Sequence, residues 1–401
     1  MTVNNSQRAS KLALLFTSMY MVSYITRINF GAVISEMVLQ TGLSKAQLGM
    51  SLTGSFMFYG AGQIVSGVCG DRVSPKKLIS LGFAATTMMN LLIPLCRSHY
   101  TMLAVWCING FAQSFMWPPL VRLMTALLSE DEYRRCSAKV SWGSSIGTMA
   151  VYLVSPAIIS LLGWKWVFVF SALCGAGMLI VWRRFCPTAP AVQPASGGGV
   201  GTSGAKQLFT PVMMGIMAAI IMMGMLKDGV TTWMPSYISE TYSIGSATAI
   251  LTGVALPVFS IICVQSASAF NRRLLKNPLS CAAVIFAAGT LASALLALCT
   301  GKNALCSVLF SAVLTGCMHG VNFMLIHMVP AYFKNRGGVS TVSGVLNCCT
   351  YIGSALSTYG IALISENLGW GYTVIVWTAI AALGGLISLL CIKKWREYMH
   401  R

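Results

Sequence analysis

The chain has 401 residues, 56% of them hydrophobic and only 9% charged, with a formal charge of +18. A soluble domain carries about 25% charged residues, so the composition excludes an ordinary soluble protein and points to helices buried in lipid. The basic residues form no stripe or basic domain, which excludes nucleic acid as a partner, and most of the fourteen cysteines lie in apolar runs as small hydrophobes without metal-ligand spacing.

About 20 apolar residues cross a bilayer. The apolar runs predict spans at 12–36, 47–69, 77–96, 101–128, 139–161 and 166–182, then at 208–238, 246–268, 279–299, 304–329, 338–364 and 372–392. Arg8 and Lys11 precede the first run as in a signal peptide, but the run continues past Arg27 without a small-residue cleavage site, so it reads as a span. On it, Tyr20, Tyr24 and Arg27 stand at i, i+4 and i+7, one helical face. An ionisable group at bilayer depth costs at least about 2.5–3.5 kcal/mol and so needs a partner or a use. A guanidinium fork beside two phenols suits a tetrahedral or planar oxyanion.

The second span carries Gln63 and ends in Gly67-Val68-Cys69-Gly70-Asp71-Arg72-Val73-Ser74-Pro75-Lys76-Lys77. There Asp71, with Arg72 beside it, is expected to latch a neighbouring helix end and to gate rather than touch substrate. The fourth span holds Gln113 and then Trp117-Pro118-Pro119 before Arg122. Prolines there free carbonyls and kink the helix, and Arg122 reads equally as a structural or gate residue and as a ligand. The fifth carries Ser144 and Ile146-Gly147 and ends in Leu162-Gly163-Trp164.

Residues 186–206, with three prolines and Ser196-Gly197-Gly198-Gly199, form a flexible linker that splits the spans six and six. The expected domains are an N-terminal bundle (1–185), that linker, and a C-terminal bundle (207–401). The seventh span holds Lys227 at a depth comparable to Arg27, with Asp228 next to it. Adjacent helical residues point about 100° apart, so Asp228 is expected to meet another helix, leaving at least one of the two cations for an anion. Asn271-Arg272-Arg273-Leu274-Leu275-Lys276 is a weaker copy of the first-half loop. His319, Asn322 and His327 follow in the tenth span and Tyr351 in the eleventh, polar groups that either line a cavity or bond a neighbouring helix.

Ile146-Gly147 and Leu162-Gly163-Trp164 recur as Ile352-Gly353 and Leu368-Gly369-Trp370. Two matches in register mark a duplication, and parallel six-helix repeats are the major facilitator arrangement. The expected fold is therefore an all-α membrane protein of twelve transmembrane helices in two pseudo-symmetric six-helix bundles. About 20 of the 27 Lys and Arg fall on the side of both termini and the linker, which predicts cytoplasmic termini.

The sequence resembles the organophosphate:phosphate antiporter family, which includes glycerol-3-phosphate and hexose-6-phosphate carriers. The resemblance rests on 24–30 (YITRINF), 117–122 (WPPLVR), 227–237 (KDGVTTWMPSY) and 324–327 (MLIH). It implies exchange of an organic phosphate for inorganic phosphate by alternating access, with Arg27 and the cation at 227 holding the phosphate. Three departures stand out: Lys227 where the family usually has arginine, Gln63 where the glycerol phosphate carriers have lysine, and Ser144 or Ser145 in place of a signature histidine.

The expected protein is thus a monomeric secondary transporter of a small organic anion, in a bacterial inner membrane, needing no cofactor or metal. The nearest alternative is a proton-coupled symporter of a carboxylate or sugar acid using Asp228 or His327. The other is a transporter-like membrane sensor of an anion. No nucleotide loop, metal cluster or nucleophile–base pair suggests an enzyme.

Overall fold

A computed structural model describes residues 2–43, 45–188, 210–244, 252, 255–334 and 338–400. Among them every regular element is helical, since a chain crossing lipid must satisfy its own backbone groups. The first half contains α1 (Thr2–Thr41), α2 (Lys45–Arg72), α3 (Pro75–Leu92), α4 (His99–Gln113), α5 (Trp117–Leu127), α6 (Glu130–Leu162) and α7 (Lys165–Phe185). The second contains α8 (Pro211–Tyr242), α9 (Ala255–Arg273), α10 (Pro278–Cys299), α11 (Ala304–Asn322) and α12 (Val339–His400). Gly369, at φ 84° and ψ 173°, breaks α12 into two arms. With α4 and α5 taken as one span and α12 as two, six segments precede the linker and six follow it. Among the described residues, eight helical stretches are long and apolar enough on their own to cross a membrane. Most of the predicted linker, and residues 246–251 of the eighth span, lie outside the described residues.

Helix ends have local causes. Pro75 opens α3, where its missing N–H is no loss. Ser98 caps α4 by accepting from the Thr101 N–H at 3.3 Å, and Asn303 caps α11 from the Cys306 N–H at 3.0 Å. The fourth span departs from the single helix predicted over 101–128. It breaks between Gln113 and Trp117, and Pro118 and Pro119 sit in the first turn of α5 where they can be housed. The tenth span also departs from a regular helix, passing through a π turn at Phe323–Met328 and a 3-10 turn at Val329–Phe333. Pro330 explains the widening: its ring would clash with the carbonyl of Ile326 in a regular helix.

The chain forms two compact units, Met1–Gly204 with Phe333–Val345, and Ala205–Tyr332 with Leu346–Arg401. In the first, α1 lies along α6, α2 along α4, and α3 along α7. Lipid is as apolar as a helix face, so burial alone does not drive helices together and close approach of small residues matters more. Gly147 of α6 stands against the Met21 carbonyl of α1, where a Cβ has no room, and a Cβ on Gly143 would lie 2.6 Å from the Thr17 carbonyl. In the second unit Gly353 of α12 stands in the same way against the Ile221 carbonyl of α8. The repeated Ile-Gly pair is therefore one helix contact made once in each unit.

The repeated Leu-Gly-Trp has a backbone cause. Gly163, at φ 91° and ψ 165°, nearly superposes on Gly369 in conformation, and side chains rarely adopt such a φ. Its tryptophans diverge. Trp164 joins the core cluster of Phe30, Ile93, Met102, Trp106 and Phe168, whereas Trp370 donates from Nε1 to Glu240 at 2.7 Å.

Candidate functional site

The face predicted on the first span exists. Arg27 places its guanidinium carbon 4.2 Å from the Tyr24 ring centroid and 4.7 Å from that of Tyr59 on α2. Tyr20 packs on Tyr24 and on Trp117, both at 5.3 Å between centroids. A guanidinium held against two ring faces gains about 0.5–2 kcal/mol. Tyr59 was not among the expected residues. Its neighbours Phe56, Met57 and Phe58 are at least half exposed, whereas Tyr59 is 3% exposed. The available signal was its i, i+4 spacing to Gln63, which is fully buried one turn on.

Directly behind Arg27 a buried polar net ties α1 to α3 and α4. Asn29 donates to Asn90 at 2.7 Å, and Asn90 to the Thr26 carbonyl at 3.0 Å. Thr86 donates to Asn109 at 2.5 Å, and Gln113 donates to the hydroxyls of Thr26 and Thr86 at 2.8 and 3.0 Å. All six side chains are at most 1% exposed. Buried polar groups persist when bonded, so this net fixes the helix turn from which Arg27 projects. Gln113 takes up the interhelical bonding that its sequence position allowed.

At the end of α2, the Asp71 carboxylate accepts from the Ser340 and Thr341 N–H groups at 2.9 and 2.8 Å. The carboxylate thus sits at the positive N-terminus of α12. Glycines make the approach possible: a Cβ on Gly67 would lie 2.8 Å from the Ser340 carbonyl, and Gly344 stands against the Gln63 carbonyl. Arg122 turns onto the end of α2. Its Nη1 donates to the Gly70 carbonyl and, at 3.1 Å, to the Val73 carbonyl, closing the C-terminus of α2. Arg72 is exposed on the last turn of α2. Ser144, half-buried on α6, spends its proton on the Ser141 carbonyl at 2.7 Å.

In the second unit Lys227 pairs with Asp228 at 3.3 Å, although the two are neighbours on α8. That corrects the expectation that their angular separation keeps them apart: the long lysine stem folds back. Asp228 also meets another helix, as expected, accepting from the Ser354 hydroxyl of α12. Ser354 donates as well to the Thr350 carbonyl at 2.9 Å. Lys227 remains 15% exposed at its side chain and Asp228 36%. His327 is buried within the π turn, its ring 5.4 Å from Phe323. Among the described residues no group of three potential metal ligands occurs.

The family model of the Major Facilitator Superfamily matches residues 16–358. The chain belongs to the major facilitator superfamily. Among solved structures, this major facilitator chain resembles the fucose:proton symporter FucP of Escherichia coli, with a TM-score of 0.77 at 13% identity over 96% of this chain and 99% of that one. That likeness shows the twelve-helix fold; the family match and the apolar helices make the chain an integral membrane protein. By sequence it is 25% identical to the membrane sensor protein UhpC of Salmonella typhimurium, over 93% of this chain and 88% of that protein. It is 23% identical to a probable hexose phosphate transport protein of Chlamydia pneumoniae, over 94% and 89%.

Proposed function

We propose that this protein is a secondary transporter that carries a small organic phosphate through the membrane by alternating access, in exchange for inorganic phosphate. The observation that carries the reading is Arg27, a cation at bilayer depth gripped by Tyr24 and Tyr59 and backed by a closed polar net. Such a guanidinium is prearranged for a phosphoryl group, since its orientation is fixed before the ligand arrives. The relatives named as hexose phosphate transport proteins match across nearly the whole chain, which favours a phosphate ester over a carboxylate.

In this reading Arg27 and Lys227 both serve the anion, with Tyr20, Tyr24, Gln63, Ser144 and His327 as polar lining. Asp228 holds Lys227 until the anion competes for it. Asp71 stabilises one state of the cycle through α12, and Arg72 and Arg122 support the same end of α2. The protein acts as a monomer in a bacterial inner membrane with both termini cytoplasmic.

A specific observation supports a second reading. Two of the relatives matched over more than nine-tenths of the chain are named membrane sensor proteins, so the same anion site would serve binding without transport. Counterflow of labelled inorganic phosphate in proteoliposomes separates the two, with Arg27→Ala and Lys227→Ala beside the wild type. Exchange that is lost in both variants supports the antiporter. Phosphate ester binding without exchange supports the sensor. Neither exchange nor phosphate binding by folded protein moves the function to a proton-coupled carboxylate symporter.

A further inference from the structure

A cavity of about 490 Å³ opens where the start of α3 meets the end of α7, lined by Ser74, Lys76, Lys77, Ser80, Leu81, Ala84, Arg183 and Thr188. Neither Arg27 nor Lys227 is among its lining residues, and nothing in the transport reading uses it. Both helices are long and apolar enough to span, α3 from Pro75 and α7 to Phe185, so the cavity sits at the membrane-surface end of each. Its chemistry is graded along α3. Lys76 and Lys77 stand at the helix start, where unsatisfied N–H groups add partial positive charge. One to two turns deeper the wall becomes Leu81 and Ala84, both exposed. Arg183, also exposed, contributes the third cation from α7.

Among the described residues no carboxylate pairs with any of the three cations. The floor is nevertheless built. Lys76 Nζ donates to the Cys186 carbonyl at 2.6 Å, and the fully buried Trp182 donates to the Lys76 carbonyl at 3.2 Å. Lys76 is thus pinned in place with ammonium protons to spare, since the group carries three donors.

We propose that this cavity binds an anionic phospholipid of the surrounding leaflet, its phosphate against Lys76, Lys77 and Arg183 and its acyl chain down the Leu81–Ala84 wall. A free phosphate would use the cations but leave the apolar wall without a partner, whereas a lipid uses both. Cations at this height are attracted to anionic headgroups, and the volume suits one headgroup with the upper part of its chain.

The test is native mass spectrometry of the purified protein with phosphatidylglycerol or phosphatidylcholine added to the micelle. The wild type is expected to retain phosphatidylglycerol at least about tenfold more tightly. The triple variant Lys76→Gln, Lys77→Gln, Arg183→Gln is expected to retain both lipids equally. Ala84→Trp, which fills the apolar wall and leaves every charge, is expected to lose the preference too; it decides the matter should the triple variant fail to fold. Equal retention of the two lipids by the wild type would overturn the proposal. So would an unchanged preference in Ala84→Trp, which would mean diffuse charge attraction, or displacement of the lipid by millimolar inorganic phosphate, which would mean a free-phosphate site. Arg27→Ala leaves lipid retention intact if the site is separate from transport.

Discussion

Two adjacent threonines on α3 offer a sharp comparison. Thr86 donates to Asn109 at 2.5 Å and accepts from Gln113 at 3.0 Å, whereas the Thr87 hydroxyl is buried without a hydrogen-bond partner among the described residues. Replacing either with valine keeps the shape and removes one hydroxyl. In Thr86→Val the Asn109 carbonyl oxygen loses its donor, and Gln113 keeps only the Thr26 hydroxyl as acceptor. A buried polar atom left without a partner costs about 1–3 kcal/mol. Polar contacts between membrane helices average about 0.6 kcal/mol and reach about 1.7 kcal/mol. The overlap puts Thr86→Val at about 1–2 kcal/mol. Thr87→Val gives up no bond and sheds a buried hydroxyl, so it is expected to be neutral or slightly stabilising. Reversible unfolding in mixed micelles, titrated with a denaturing detergent, measures both. A cycle with Asn109→Leu should show the Thr86 cost shrinking once its partner is gone. Equal effects from the two threonine variants would refute the net as an energetic unit and reduce it to packing.

Asp71→Asn retains one acceptor but loses the charge and one of the two bonds to α12, so the Ser340 and Thr341 amides should exchange hydrogen faster, by roughly tenfold; unchanged protection would show that the helix end holds itself. Gly147→Ala and Gly353→Ala place a Cβ against backbone carbonyls and should each destabilise by about 1–3 kcal/mol. Gly177→Ala, with nothing within 4 Å, should be neutral, and the same micelle titration compares them. Arg27→Lys keeps the charge but loses the flat face between Tyr24 and Tyr59, so kcat/KM for exchange should fall about 2- to 30-fold. Asp228→Asn leaves an acceptor for Ser354 and removes the charge competing for Lys227, so anion affinity measured by calorimetry should rise; a fall would mean that the pair holds Lys227 in its working position.

Sequence alone determined the number and order of the spans, because a bilayer demands about 20 apolar residues per crossing and leaves no freedom in that pattern. It also determined the duplication, because a backbone at φ near 90° selects glycine in both copies, at Gly163 and Gly369. Arg27 and Lys227 stood out because charge in an apolar run is costly wherever the helix later packs. What surrounds those charges was decided by tertiary structure. Tyr59 stands among exposed apolar neighbours, and only the packing of α2 brings it onto Arg27. The partners of Arg122 came from the end of α2, which brought two carbonyls within its reach. Lys227 folded back onto Asp228 because a four-carbon stem is flexible enough to override the angle between adjacent helical positions. Hydrophobic patterning records how deep a residue lies, but which face meets which helix depends on contacts such as Arg122 with Gly70, 52 positions apart, and Thr341 with Asp71, 270 apart, and no local pattern carries those.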